Sequence, residues 1–135
     1  MYFLQVLSHW GYKNLLTTAS PSHHEYLLSI GATQCFDYRD ANVSSQIMES
    51  VPNQSPQIPF VIDCIGSKSG SLAQITKIAQ RGSIVAVLLP VIVQDATEKD
   101  PPEYSMEVET SVQWAEGVET RGVRTHFYKD VSYMT

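Results

Sequence analysis

The architecture follows from two apolar stretches, Phe60-Val61-Ile62-Asp63-Cys64-Ile65-Gly66 and Gly82-Ser83-Ile84-Val85-Ala86-Val87-Leu88-Leu89-Pro90. Each is a short, continuous apolar run that opens or closes on glycine or proline. Such runs are typical of strands buried on both faces in a parallel sheet. Between them, the apolar residues at 72, 75, 78 and 79 share one face of a helix. Strand, helix and strand in this order predict a βαβ unit.

The segments on either side continue the alternation of strand and helix patterns. Before this unit, helices are predicted at residues 1–10, 22–30 (with Ser22 as its cap) and 43–51, strands at 14–20 and 34–38, and a proline-rich loop at 52–59. After it, the pattern predicts an exposed loop at 95–104 and strands at 106–112 and 122–128. The fold class is therefore α/β, with a doubly wound, mostly parallel sheet of Rossmann type.

Composition narrows the range of partners. The 135 residues suffice for one ordinary domain, and the net charge of -5 argues against nucleic acid or an anionic membrane as partner. The longest apolar stretch is too short to span a bilayer, and the first residues lack the charged start of a signal peptide. We expect a cytoplasmic chain, in which Cys35 and Cys64 are buried reduced thiols.

Candidate ligand-binding residues follow the predicted strands, because such sheets bind ligands beyond the carboxyl ends of their strands. They are Ser20-Pro21-Ser22-His23-His24, Asp37-Tyr38-Arg39, Cys64-Ile65-Gly66-Ser67 and Leu88-Leu89-Pro90. Ser20 stands at the strand end where an acidic residue would select NAD. A neutral hydrogen-bond donor at this position, with two histidines close behind it, suits the 2′-phosphate of NADP. A helix N-cap followed by two solvated histidines explains the same residues equally well. Tyr38 either stacks on an adenine or packs at a strand end.

The glycine- and serine-rich segment Gly66-Ser67-Lys68-Ser69-Gly70-Ser71 matches neither a Walker A loop nor G-x-G-x-x-G. It predicts a serine-capped helix start, and Asp63 before it is interpreted as a hydrogen-bonded structural acid. The four histidines show no metal-ligand spacing, and no G-x-S-x-G elbow or pair of catalytic carboxylates is present. The sequence thus contains no catalytic constellation of its own.

Four segments resemble the medium-chain dehydrogenase/reductase superfamily, in particular its fungal zinc-free branch of trans-acting enoyl reductases and quinone-reductase-like proteins. They are Thr17-Thr18-Ala19-Ser20-Pro21, Ile30-Gly31-Ala32 with Phe36-Asp37-Tyr38-Arg39-Asp40, Phe60-Val61-Ile62-Asp63-Cys64-Ile65-Gly66 and Gly122-Val123-Arg124-Thr125-His126-Phe127-Tyr128. The resemblance implies a Rossmann domain that binds NADPH and is paired in the family with a GroES-like substrate lobe. It also implies hydride transfer to an activated double bond, often in an enoyl thioester.

The resemblance carries site residues over by position. It implies that Ser20 and His23 meet the 2′-phosphate and that Tyr38 lies beside the adenine. Ile65, Gly66, Leu88 and Leu89 would line the ribose and the nicotinamide, and Phe127 would approach the nicotinamide from the last strand. The resemblance assigns no catalytic residue and no metal ligand.

Residues 1–135 lack the family's first Rossmann strand, its glycine-rich turn and the substrate lobe. We therefore expect a partial NADP-binding domain that is not active alone. Two hypotheses stay open: a piece of an NADPH-dependent enoyl or quinone reductase, which would take a dinucleotide and a small-molecule substrate, or a non-catalytic nucleotide-binding or partner-binding remnant that associates through exposed sheet edges. A Rossmann-like methyltransferase is weaker, since it leaves the Asp37-Tyr38-Arg39-Asp40 segment unexplained.

Overall fold

The computed structural model describes residues 2–124, which fall into two units that divide after Val51. The first unit contains α1 (Tyr2–His9), β1 (Leu16–Ala19), a 3-10 turn (Pro21–His23), α2 (His24–Ser29), β2 (Gln34–Asp37) and α3 (Val43–Glu49). β1 and β2 pair in parallel, with Leu16 opposite Gln34 and Ala19 opposite Asp37. The strands and helices predicted in this part of the sequence are all present.

The core of the first unit is small. Leu4 of α1, Leu27 of α2 and Ala32 are buried together, and β1 and β2 contribute half-buried side chains. Gly31 has φ +128°, and a Cβ atom added there would lie 2.7 Å from the Ser8 Cβ. Glycine is therefore required where the chain leaves α2 and passes close to α1.

The second unit is built on a parallel three-stranded sheet in the order β3-β4-β7. Its elements are β3 (Phe60–Asp63), a π-helical turn (Lys68–Leu72), α4 (Ala73–Ile78), β4 (Ile84–Leu89), β5 (Val91–Gln94), β6 (Glu103–Ser105), α5 (Val108–Ser111) and β7 (Glu119–Arg124). Phe60 lies opposite Ile84, which in turn lies opposite Glu119. β5 and β6 form an antiparallel pair.

The predicted βαβ unit is confirmed by β3, α4 and β4. The apolar face of α4 contributes to the main core of this unit, which consists of the buried residues Leu72, Ala79, Val85, Val87, Leu89, Val91 and Val108. Three of the four strand pairs in the described residues are parallel. The fold class predicted from the sequence, a mixed α/β fold with a mostly parallel sheet, is thus confirmed.

Burial of the opening strand differs from the prediction. Phe60 is 51% exposed, and Cys64, expected to be a buried thiol, is exposed as well. The reason is that β3 is an edge strand of its sheet and has β4 as its one hydrogen-bonded neighbour among the described residues. β4 buries Val85, Val87 and Leu89 on one face, whereas its other face is half-buried. Each continuous apolar run therefore forms a strand, as predicted, but the strand is not buried on both faces.

Three local predictions are wrong. Residues 106–112 contain the helix α5 in place of a strand, because Val108 and Ser111, three positions apart, are both buried on its inner side. The predicted loop 95–104 includes the start of β6, which pairs with β5. Ser22 does not cap α2, whose N-cap is His23 without a side-chain hydrogen bond, because Pro21 opens a 3-10 turn first.

The last strand begins earlier than predicted, at Glu119, and residues 125–128 lie outside the described residues.

Candidate functional site

Two predicted site residues, Ser20 and Tyr38, lie at the carboxyl edge of the β1–β2 pair. Since Ala19 pairs with Asp37 in parallel register, the residues that follow them, Ser20 and Tyr38, leave neighbouring strands at the same level. Ser20 is half-buried, and Tyr38 is 41% exposed. The register thus brings together two hydroxyl side chains that are distant in sequence.

Arg39 completes this group of side chains. Its Nε donates a hydrogen bond to the Tyr38 hydroxyl over 2.9 Å, and its Cζ lies 5.2 Å from the centre of the Tyr38 ring. Hydrogen bonding from the Ser20 hydroxyl, and then from Arg39, lowers the pKa of the Tyr38 phenol. Ser20, Tyr38 and Arg39 are named the donor triad below. Because the bond from Arg39 uses Nε, its terminal amino groups can donate hydrogen bonds to another oxygen anion.

The two histidines after Ser20 have different environments. The His24 ring is held by a hydrogen bond between its Nε2 and the Ala19 carbonyl oxygen, 2.9 Å apart. His23 is exposed, and its backbone N–H donates to the Ser20 carbonyl oxygen over 2.9 Å. Its side chain lines a hollow of about 260 Å³ together with Ala19, Tyr26 and Leu27. Of the two, His23 is the one placed to contact a ligand at this edge.

In the second unit, Asp63 organises the loop that follows β3. Its carboxylate is buried, with 4% of the residue exposed. One oxygen accepts the backbone N–H groups of Ile65 (2.9 Å) and Gly66 (3.2 Å), and the other accepts the Ser71 hydroxyl at 2.8 Å. Ser71 Oγ also accepts the Ser67 N–H at 3.1 Å. The interpretation of Asp63 as a hydrogen-bonded structural acid is confirmed.

The helix start behind this loop is capped as the sequence predicted. The Ser67 side chain accepts the Gly70 N–H at 3.2 Å, at the N-cap of the π-helical turn. The Gly66 carbonyl oxygen accepts the Ile92 N–H at 2.7 Å, which fixes the loop to β5. The loop is therefore held at both ends by hydrogen bonds of its own backbone.

The remaining predicted site residues of this unit differ in exposure. Ile65 is 57% exposed. Gly66 is buried with φ +70°, and a Cβ added to it would lie 3.2 Å from the Leu88 carbonyl oxygen. Leu88 is half-buried, whereas the Leu89 side chain is buried against Gly122 of β7. Ile65, Gly66 and the Leu88 backbone are therefore adjacent, and Leu89 turns into the core. Phe127 lies outside the described residues.

Sequence reasoning placed Arg39 at this edge but gave it no role. The signal was its position directly after Tyr38, yet the contact depends on side-chain conformations that the pattern does not specify.

Within residues 2–124, no group of three or more His, Cys, Asp or Glu side chains is arranged to hold a metal ion. None of the helices described is both long enough and apolar enough to cross a bilayer.

The fold is similar to those of two solved structures. An alcohol dehydrogenase from Thermotoga maritima aligns with a TM-score of 0.58 at 15% identity, over 96% of this chain and 33% of that one. The Bacillus subtilis protein yhfP, solved with NAD bound, aligns with a TM-score of 0.52 at 20% identity, over 96% of this chain and 34% of that one. These likenesses establish a Rossmann-like fold.

Sequence comparisons give shorter matches. No protein-family model matches the chain. The dual trans-enoyl reductase/FAD-dependent monooxygenase tazHJ of Aspergillus terreus is 31% identical over 81 residues, which is 60% of this chain and 11% of that protein. The zinc-binding alcohol dehydrogenase domain-containing protein cipB of Emericella nidulans is 38% identical over 56 residues, 42% of this chain and 17% of that protein. The trans-enoyl reductase tazE of Aspergillus terreus is 50% identical over 34 residues, 25% of this chain and 11% of that protein.

These relatives are enoyl-reductase and alcohol-dehydrogenase-like proteins, and the matches support the medium-chain dehydrogenase/reductase superfamily. The chain spans less than a fifth of the length of each of these three proteins.

Proposed function

We propose that the chain is the dinucleotide-binding part of a medium-chain oxidoreductase of the enoyl or quinone reductase type, and that its cofactor is NADPH. The fold and the trans-enoyl reductases among its relatives support the oxidoreductase class. The solved neighbour with NAD bound supports a nicotinamide dinucleotide as the cofactor. The free thiols Cys35 and Cys64 are in keeping with a cytoplasmic location.

The donor triad is the observation that carries the proposal. In Rossmann folds, the residue that ends the second strand meets the adenosine ribose, where an acidic side chain accepts the 2′-hydroxyl of NAD. The resemblance implies that β1 corresponds to this second strand, so that Ser20, which is neutral, would occupy the position. Beside Ser20 lie a phenol and a guanidinium. Hydroxyl and guanidinium donors fit the oxygens of a 2′-phosphate, which accept hydrogen bonds and carry negative charge.

The chain's own residues would bind and orient such a cofactor. When bound, the nicotinamide of NADPH supplies a hydride to an activated double bond. In the first unit, the donor triad and His23 would hold the adenosine end. In the second unit, Asp63 fixes the loop backbone from Ile65 to Gly66, so that the loop could contact a ligand without first being ordered.

Titration calorimetry with NADPH and with NADH tests the cofactor. We expect NADPH to bind at least about tenfold more tightly, because one charge-assisted contact is sufficient for that difference. A rise in melting temperature with NADPH that exceeds the rise with NADH is the corresponding thermal result. If neither nucleotide binds at millimolar concentration, the proposed cofactor is wrong.

Turnover separates the reductase from the second candidate, a non-catalytic nucleotide-binding or partner-binding protein. One observation favours the second candidate: among the described strands, β1 and β3 each pair on one side only, and such edges can accept a further strand. Consumption of NADPH with an enoyl thioester would support the reductase. Nucleotide binding without turnover on enoyl thioesters or quinones would support the second candidate.

A further inference from the structure

The segment that follows β5 is both exposed and strongly charged. Residues 94–104 are all exposed to solvent. Residues 94–110 contain six acidic residues and one lysine, which gives them a net charge of -5. The whole chain has the same net charge, so the rest of the sequence is neutral as a set. Such a concentration of charge attracts a surface that is lined by Lys and Arg.

Thr97 lies in the exposed loop of this segment and closes a small turn. Its Oγ1 accepts the backbone N–H groups of Lys99 at 3.3 Å and Asp100 at 2.9 Å. Its own N–H donates to the Asp100 carbonyl oxygen at 2.9 Å, and its hydroxyl makes a long contact of 3.5 Å with the same oxygen. Among the described residues, these are the hydrogen bonds made by the loop 95–102. Because they are local and exposed, the loop can be drawn out into the groove of an enzyme at little cost.

The position of the acids distinguishes Thr97 from the other hydroxyl groups. Two Ser or Thr residues of the sequence have an acidic residue three positions further on, namely Ser22 (with Glu25) and Thr97 (with Asp100). Ser22 lies in the 3-10 turn that leads into α2, so an extended backbone there would require the start of that helix to unwind. Thr97 therefore combines an acidic neighbourhood with a backbone that is free to extend.

We propose that Thr97 is a phosphorylation site for a Ser/Thr protein kinase whose substrate groove is basic and contacts Asp100. The Thr97 Oγ1 forms a bond to the γ-phosphorus of ATP, and the bond from that phosphorus to the bridging oxygen breaks. ADP leaves with the electron pair, and the hydroxyl proton passes to the catalytic base of the kinase. The phosphate adds about 1.5–2 negative charges to the segment and so strengthens its attraction for a basic partner. This modification is independent of the cofactor proposed above.

The test incubates the full chain with ATP, Mg²⁺ and one of two protein kinases, one selective for acidic substrates and one for basic substrates. Each kinase is first shown to be active on its own reference peptide. We expect the first to place one phosphate on Thr97, located by tandem mass spectrometry, at least about tenfold faster than the second. Asp100→Asn should slow the reaction about fivefold, and Lys99→Gln should accelerate it, because the lysine repels a basic groove. Glu109→Gln, the matched control, removes an exposed acid of the same segment and should change the rate by less than about twofold.

Two further variants identify the hydroxyl group. Thr97→Val should abolish phosphorylation, whereas Thr110→Val should leave it unchanged, because Thr110 lies in α5 and its hydroxyl donates to the Glu107 carboxylate at 2.8 Å. Thr97 and Thr110 are exposed, so we expect both variants to melt within a few degrees of the unmodified chain. No incorporation, a phosphate on Ser22 in place of Thr97, or equal rates with the two kinases would overturn the proposal. Equal effects of Asp100→Asn and Glu109→Gln would overturn the role of Asp100.

Discussion

Replacing Asp63 tests whether the loop after β3 is fixed by a single buried carboxylate. That carboxylate accepts one buried backbone N–H, from Gly66, and two partly buried donors, the Ile65 N–H and the Ser71 hydroxyl. In Asp63→Ala the buried N–H loses its partner, which costs about 1–3 kcal/mol, and each partly buried donor adds about 0.5–1 kcal/mol because water replaces the lost bond only in part. We expect the free energy of unfolding to fall by about 3 kcal/mol.

Asp63→Asn gives a graded comparison. Asparagine keeps the oxygen that accepts the two backbone N–H groups, but without the charge each bond is weaker. Its amide nitrogen would face Ser71 Oγ, which already accepts the Ser67 N–H, so the Ser71 hydroxyl proton would have to find another acceptor. We expect a loss of about 1–2 kcal/mol, smaller than that of the alanine variant.

Urea denaturation measures these losses, with Asp95→Ala as the matched control because Asp95 is an exposed acid of the same unit. The control should change the free energy of unfolding by less than about 0.5 kcal/mol. Combining Asp63→Asn with Ser71→Ala should give a coupling of about 1 kcal/mol in a double-mutant cycle. Equal effects of Asp63→Ala and Asp95→Ala would refute the reasoning.

Three further predictions follow from other contacts. Gly31→Ala should lower the melting temperature more than Gly11→Ala, because a Cβ at Gly31 would meet an α1 side-chain atom at 2.7 Å, whereas nothing lies within 4 Å of one at Gly11; similar shifts would contradict this. Ser83→Ala should cost about 1–3 kcal/mol in urea denaturation, because the hydroxyl of this fully buried residue donates one backbone hydrogen bond and accepts another; a loss below about 0.5 kcal/mol would count against that role. Ser20→Ala should raise the pKa of the Tyr38 phenol towards its ordinary value, because it removes the hydrogen bond that contributes most to lowering that pKa. The pKa is measured by phenolate absorbance against a Tyr38→Phe blank, and an unchanged pKa would mean that the two hydroxyl groups do not interact.

The sequence predicted the strands and helices of the parallel sheet well because their apolar patterns are local. It failed at α5, where a short alternating stretch is compatible with either a strand or a single helical turn. The Trp114 Nε1–H donates to the Val108 carbonyl oxygen at 3.1 Å, a contact with α5 that periodicity does not reveal. It also overestimated the burial of β3, since a continuous apolar run does not specify whether a strand lies at a sheet edge.

At the candidate site, the sequence correctly predicted that Asp63 is a structural acid. That the strand ends bind a ligand stays a prediction. The sequence could not predict how the side chains meet. The proximity of Ser20 and Tyr38 depends on the register of β1 and β2, and the contact of Arg39 with Tyr38 depends on one side-chain conformation. All the cofactor-binding roles assigned by resemblance stay predictions: those of Ser20, His23, Tyr38, Ile65, Gly66, Leu88, Leu89 and Phe127.

Amide hydrogen exchange with and without NADPH tests the central claim, that the carboxyl edge of the β1–β2 pair binds the adenosine end of the cofactor. We predict slower exchange for peptides that cover residues 19–24 and 37–41 when NADPH is added, and a weaker effect with NADH at the same concentration. Residues 43–49 of α3 serve as an internal reference and should exchange at an unchanged rate. Unchanged exchange at both strand ends under saturating NADPH, or equal protection by NADH, would contradict the account.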